Sequence, residues 1–190
     1  ANGNYTATNG VVTTIEVKAN GRRIFVDTAT NIHNRNAYRG LYVDAQRLMI
    51  DFTEPQSRGG ANEQLLASIP SAMLKSLTVE VQFGNNGGTT PSMNVFAESR
   101  GPSENPFILK RLDFTQGFSS AGWQTLLLPS GTSGGIIKRA FLHPTTGASS
   151  TITAVDLRVN RVSIWDVTKD IIELNQRVNK MTPQASFLAL

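Results

Sequence analysis

The chain has 190 residues, no cysteine and a formal net charge of +4, so disulfides and thiol chemistry are excluded. Its basic residues occur as scattered pairs and it contains no run of eighteen apolar residues, which argues against sequence-specific nucleic-acid binding and a membrane-spanning helix. A charged fraction of only 17%, together with 16 glycines, is typical of an all-β protein with long loops.

The first predicted element is a β-hairpin. Residues 12–19 alternate between apolar and polar side chains, and Asn20-Gly21 is a strong signal for a two-residue hairpin turn. The second strand follows at 24–26. Thr28 or Thr30 is then expected to cap a short helix.

The middle of the chain contains further alternating segments. The clearest, at 77–83, places four apolar side chains on one face of a strand. These are Leu77, Val79, Val81 and Phe83, and we expect the last three in the core. The other strands are predicted at 47–52, 93–98 and 107–114, and a short helix at 63–68.

A Gly/Ser-rich stretch at 117–120 is the expected domain boundary, which gives domains at 1–118 and 119–190. Strands are predicted beyond it at 123–128 and 136–142. A helix is predicted after Asp166 or Thr168, either of which can act as its cap. Its apolar side chains fall at helical spacing: Val167, Ile171, Leu174 and Val178.

The chain repeats itself at a constant offset, since Ile15 aligns with Val155 and 155 − 15 = 140. In this register 14–25 matches 154–165 without a gap, keeping charge sign as well as apolarity, and the match extends to Ile32 and Ile172. A period of this length is that of a whole small domain rather than of a solenoid repeat. The sequence therefore predicts two copies of one β domain.

The two copies place an aromatic residue at the same position, Phe25 and Trp165. A shared core position is the expected reason, so we predict that both side chains are buried. The alternative is that these rings stack on a sugar, because jelly rolls also serve as lectin domains.

The sequence predicts no catalytic site. The chain has two histidines, His33 and His143, and neither lies in metal-ligand spacing or accompanies a nucleophile elbow. His143 is expected on an exposed loop. Asp44, Asp51 and Glu54 are the candidate ligands for calcium, if they converge near one strand end; otherwise they are exposed strand-end charges.

Several segments, taken in order, resemble the major capsid proteins of tailless icosahedral phages with a double jelly roll, particularly the corticovirus-like group with an internal membrane. The resemblance covers nearly the whole chain. It is carried by segments in the first copy (15–22, 49–52 and 77–83), in the middle (109–112 and 126–131) and in the second copy (155–160).

The resemblance implies an all-β double jelly roll, with a first jelly roll at 1–118 that lacks its N-terminal strand and the start of a second at 119–190. We therefore expect a longer native protein. It also implies a virion protein without enzymatic activity, cofactor or small-molecule substrate, assembled in the host cytoplasm. Three chains would form a pseudo-hexagonal capsomer that contacts neighbouring capsomers. Other capsid or membrane proteins are further partners, and lipid or genome could be contacted on the inner face.

Two alternatives stay open. A carbohydrate-binding β-sandwich, such as a phage spike module, would place exposed aromatic side chains on one sheet face or bind calcium. A jelly-roll enzyme of the cupin type would need a histidine-rich metal set, which two isolated histidines do not provide.

Overall fold

The computed structural model describes residues 12–41, 43, 47–53, 68–84, 93–98, 110–111, 113–128, 137–144 and 151–190. The chain divides into two compact units, Ala1–Asp113 and Phe114–Leu190. The domain boundary that we predict from the sequence lies a few residues further along, between 118 and 119, and stays a prediction.

The first unit is built on an antiparallel sheet of three strands, β1 (Val12–Ala19), β2 (Arg22–Thr28) and β3 (Leu77–Phe83). The strand order is β2-β1-β3, so β1 is the central strand. The hairpin between β1 and β2 turns at Asn20 and Gly21, which both have positive φ, as a turn that matches the twist of its strands requires. The predicted hairpin and the strand at 77–83 are confirmed.

Helix α1 (Ala29–Tyr38) follows β2 directly. It begins where the Thr28 side chain accepts a hydrogen bond from the backbone N–H of Asn31, at 3.2 Å. The helix packs on the sheet, and the core between them consists of Val12, Ile15, Ala29 and Ile32. A second cluster lies further along the hairpin, where Val17, Ala19 and Ile24 are covered by Phe52, Ile69 and Leu74.

The predicted core residues of the first unit differ in their burial. Phe25, Val81 and Phe83 are partly buried and pack against the core clusters. Val79 is 50% exposed, so its prediction as a core residue is wrong for the isolated chain. The reason is that β3 is an outer strand, and no described residue covers its apolar face at this point.

The second unit contains strands β4 (Phe141–Leu142), β5 (Ala154–Val159), β6 (Val162–Thr168) and β7 (Leu188–Ala189), and helix α2 (Lys169–Val178). Strand β4 pairs with β7 and β5 pairs with β6, both antiparallel. Trp165 lies on β6 and is partly buried. None of the helices described in the two units is long and apolar enough to cross a membrane.

The backbone of the second unit repeats that of the first at the predicted offset. The bounds of β6 and α2 are those of β2 and α1 moved by 140 (162 − 22 = 140, 169 − 29 = 140). Asn20 and Asn160 have the same φ of 51°. The pairing register shifts after Val17 in one hairpin and after Leu157 in the other. A shared irregularity is a stronger sign of duplication than a shared strand.

The two helices are also anchored in the same way. The side chain of Asn36 donates to the Met49 carbonyl at 2.8 Å, and the side chain of Gln176, its counterpart, donates to the Ala189 carbonyl at 2.8 Å. Donors and acceptors are therefore both displaced by 140 residues. Each bond ties a helix to an extended segment that follows it, so the repeat extends beyond the hairpin into the tertiary packing.

The buried face of α2 is not its apolar stripe. Ile172 and Gln176 are buried, at the positions of Ile32 and Asn36 in α1, whereas the stripe at Ile171, Leu174 and Val178 is exposed. The spacing predicts the helix correctly, but the apolar stripe does not face the core. Helix α2 therefore buries the same two positions as α1.

Several predicted strands are wrong. The described residues of 47–52, 93–98 and 123–128 form no regular strand, and within 136–142 only β4 is one. Alternation favours a strand, but a strand forms only where a neighbour supplies ladder hydrogen bonds. The described residues of the strand predicted at 107–114 (110, 111, 113 and 114) form no regular strand either, and the helix predicted at 63–68 falls outside the described residues except for residue 68, which is not helical.

The hairpin turns provide a prediction. Arg161 has φ 68° where the first copy has Gly21, and a side chain in this region costs about 1–2 kcal/mol. Arg161→Gly is therefore expected to raise the stability of the second unit by about 1 kcal/mol, as measured by chemical denaturation. Gly21→Arg should lower that of the first unit by a similar amount. An unchanged midpoint for both variants would contradict this account of the turns.

Candidate functional site

Among the described residues of the first unit the most buried charge is Asp27, which is 5% exposed near the end of β2. One carboxylate oxygen accepts hydrogen bonds from the guanidinium groups of Arg35, on α1, and Arg111. The other accepts from the backbone N–H of Thr28 at 2.8 Å and from the side chain of Asn31 at 3.0 Å. The carboxylate is therefore fully used within the fold, as a buried charge requires.

The two arginines also contact the ring of Phe25. Each guanidinium carbon lies 5.8 Å from the ring centroid, within the range of a cation–π interaction. Phe52 contacts the same ring in an edge-on arrangement, with centroids 6.1 Å apart. Phe25 thus packs against side chains of its own unit, as expected of a residue at the edge of the core.

Burial raises the pKa of the Asp27 carboxyl, and the Arg111 charge, with hydrogen bonds from Asn31 and Thr28, acts against that rise. The charge cluster formed by Asp27, Arg35 and Arg111 can hold chain segments together. It offers no water-accessible acid or base to a substrate.

Glu16 and Asp156 occupy equivalent strand positions, and each is bound by a residue seven positions later. Arg23 contacts Glu16 at 2.7 Å, and this hydrogen bond holds the pKa of Glu16 below its ordinary value. Ser163 donates to Asp156 at 2.6 Å and likewise lowers the pKa of Asp156. Both acids are thus tied to their own hairpins, which fits duplication without catalysis.

The calcium hypothesis stays a prediction. Asp44 and Glu54 lie outside the described residues. The Asp51 carboxylate accepts hydrogen bonds from the backbone and hydroxyl of Thr53, at 2.8 and 2.7 Å, and lies 3.7 Å from the Arg39 guanidinium. Within the described part of the chain, no three acidic, histidine or cysteine side chains are grouped to hold a metal ion.

The two histidines lie in separate settings. His33 is in α1, and His143 follows β4. The prediction that His143 lies on an exposed loop is wrong, because its ring is partly buried and lies 5.1 Å from that of Phe187. The position beside the β4–β7 pair explains this burial, which proximity to Pro144 did not indicate.

The hairpin face that is covered in the first unit is open in the second. Ile24 is 3% exposed and Ala19 is buried, whereas Ile164 is 58% exposed and Val159 is also exposed. The apolar stripe of α2 is exposed as well. Exposed apolar side chains in such number are typical of a surface that is covered by a partner.

Other exposed aromatic side chains lie outside the strands. Phe96 is 92% exposed and Trp123 71%, and both belong to segments without regular structure. A carbohydrate-binding module was expected to present such rings together on one sheet face. The described residues do not meet that expectation, so the structure gives the sugar-binding alternative no support.

Sequence reasoning missed the contact between Asp27 and Arg111. The two residues lie 84 positions apart. No local pattern links them, and Asp27 has no acidic counterpart in the second copy, where Val167 takes its place. The pairing is a property of the folded unit.

A duplicated β fold, acidic side chains already paired within it and exposed apolar side chains are typical of a structural protein that assembles. The comparisons with known proteins agree. Residues 4–100 match the family model of the viral coat protein P2 N-terminal domain, and residues 108–190 match that of its C-terminal domain. The chain belongs to the viral coat protein P2 family, and its role is that of a coat protein.

The crystal structure of the major capsid protein P2 from bacteriophage PM2 is similar to this chain, with a TM-score of 0.59 at 10% sequence identity. The alignment covers 98% of this chain and 70% of that one. The predicted all-β double jelly roll and the resemblance to corticovirus-like capsid proteins are confirmed. Comparison with curated protein sequences gives no match.

Proposed function

We propose that three copies of this chain close around a threefold axis into a pseudo-hexagonal capsomer, and that such capsomers tile an icosahedral shell. The observation that carries the proposal is the repetition of strand, turn, strand and helix at a constant offset of 140 residues (162 − 22 = 140). Two similar units in one chain give six similar lobes in a trimer. Closed symmetry of this kind buries matched surfaces between chains.

The exposed apolar side chains support assembly. Val162, Ile164 and Leu174 are each more than half exposed in the isolated chain, a state that apolar clusters on soluble proteins seldom retain. Contact with neighbouring subunits would remove this area from water and favour association. Neighbouring capsomers, and other capsid or membrane proteins of the virion, are the partners in this account.

The finer assignments follow from the same proposal. Assembly takes place in the host cytoplasm, and the net charge of +4 serves contacts with lipid headgroups or genome on the inner face of the shell. Calcium at Asp44, Asp51 and Glu54 belongs to the proposal as well, and calorimetric titration with calcium tests it.

Light scattering coupled to size-exclusion chromatography tests the capsomer. We expect a species of three times the monomer mass that does not dissociate on dilution to micromolar concentration. Leu174→Asp, which puts a charge on the apolar stripe of α2, should weaken the trimer. Asn175→Asp adds the same charge one position away, off the stripe, and should leave it intact. A stable monomer at high concentration would contradict the proposal.

A further inference from the structure

Residues 110–111 are attached to the first unit through Arg111. Its backbone N–H donates to the Ile24 carbonyl at 2.9 Å, and its guanidinium donates to Asp27. The Nε atom of the same side chain lies 2.9 Å from the carboxylate of Asp113. These contacts hold a segment without regular structure just before the second unit begins at Phe114.

We propose that Asp27 and Arg111 form an acid-sensitive latch, which holds Arg111 and the Asp113 bound to it against the first unit and releases them when Asp27 takes up a proton. These residues are among the last of the first unit. The latch therefore determines whether this end of the unit is bound to the rest of it. The proposal does not depend on the capsomer.

The groups around Asp27 explain why the segment responds to its charge. Arg35 and Asn31 face it from α1, Thr28 from its own strand, and Arg111 from the 110–111 segment. A neutral Asp27 no longer compensates two guanidinium groups that meet at one oxygen atom, so they repel each other. Arg35 belongs to α1, and the regular backbone of the helix keeps it in place. Arg111 lies in an irregular segment and is therefore the one that leaves, towards solvent and with Asp113 still beside it.

The direction of the pH dependence follows from the docking of Arg111. Its charge lowers the pKa of Asp27, so the pKa is higher when Arg111 is released than when it is docked. Arg111 is therefore fully docked at pH values above the pKa that Asp27 has in the released state. The docking is lost as the pH falls through the pKa that Asp27 has in the docked state. Burial raises the pKa of Asp27, which places this window above the ordinary aspartate value of about 3.9.

The second copy indicates that the fold does not require this charge cluster. In the matched register, Val167 stands in place of Asp27 and Asn175 in place of Arg35. The strand, helix and turn of that copy nevertheless have the same bounds. A buried ion pair adds little net stability compared with apolar packing, so a role beyond building the hairpin and helix accounts for its presence in the first copy.

Amide hydrogen exchange by NMR on the full chain tests the latch, because the Arg111 amide is itself bound to the Ile24 carbonyl. In Asp27→Asn, which imitates the protonated side chain, this amide should exchange at least about tenfold faster at pH 7 than in the wild type. The wild type should approach that rate as the pH is lowered towards 4, after correction for intrinsic exchange. Equal protection in both proteins at pH 7, or wild-type protection that is independent of pH, would overturn the proposal.

Two further variants control the experiment. Asp113→Asn removes a like charge that raises the pKa of Asp27, so the release should move to lower pH while protection at pH 7 persists. Arg111→Met should leave the segment unprotected at every pH while the Asp27 side chain is kept, and it replaces Asp27→Asn if that variant does not fold. Loss of protection at β1 amides in parallel with Arg111 would mean that the whole unit unfolds, and would also overturn the latch.

Discussion

Replacing Asp27 with alanine is expected to lower the free energy of unfolding of the first unit by about 3–5 kcal/mol. The variant leaves two guanidinium groups without their shared carboxylate, and the side chains of Arg35 and Arg111 are only 11% and 20% exposed. Urea denaturation at pH 7, monitored by far-ultraviolet circular dichroism, provides the measurement.

The control removes all the charges of the cluster together. Asp27→Val with Arg35→Asn, the pair found in the second copy, combined with Arg111→Met, should recover most of the loss, because apolar packing replaces buried charges at little cost. A loss below about 1 kcal/mol for Asp27→Ala would indicate a solvated, weakly coupled cluster, in conflict with the burial described above.

Truncating Ile172 to alanine is expected to cost about 2–5 kcal/mol, and truncating Ile32, its counterpart in the first unit, should cost a similar amount. Both side chains lie on the buried faces of their helices and are at most 3% exposed. The loss combines transfer of the removed methyl groups with the cavity that they leave. Equilibrium denaturation of the two variants gives both values.

Ile171→Ala is the matched control for this comparison. Ile171 adjoins Ile172 on α2 but is 45% exposed, so its truncation should change stability by only about 0.5 kcal/mol or less. If Ile171→Ala cost more than Ile172→Ala in the isolated chain, the rotation of α2 described here would be wrong. The equivalence of the two helices would then fail with it.

The local features of the fold were predictable because each is encoded by neighbouring residues. The turn at Asn20-Gly21 needs positive φ, and these residue types adopt it. Thr28 supplies the hydroxyl that caps α1. Aligning the chain with itself then transfers the hairpin and helix to the second copy, with Asn160 and Thr168 at the corresponding positions.

The orientation of the elements was less predictable. The stripe at Ile171, Leu174 and Val178 has the spacing of a core-facing helix, yet Ile172 and Gln176 are buried. A sequence pattern ranks the apolar faces of a helix but does not state which one the neighbouring hairpin presents. Val79 was misjudged for a related reason, because alternation predicts a face and not whether that face is covered.

Contacts between distant segments were beyond the reach of local patterns. Asp27 reads as a polar residue at a strand end, and Arg111 as one position in an alternating segment. Their contact depends on where the chain returns after 84 residues. The family resemblance supplied the role of the protein, but the charge cluster of the first copy has no counterpart in the second, so duplication could not reveal it either.

Electron cryo-microscopy of virions that contain this protein tests the central claim most directly. A coat protein with two similar units per chain should appear in the shell as capsomers with six lobes. Each chain should account for two of the lobes, and a threefold axis should relate the three chains. Mass spectrometry of the purified particles should identify this chain as a major component. Capsomers built from single units, or particles without this chain, would contradict the account.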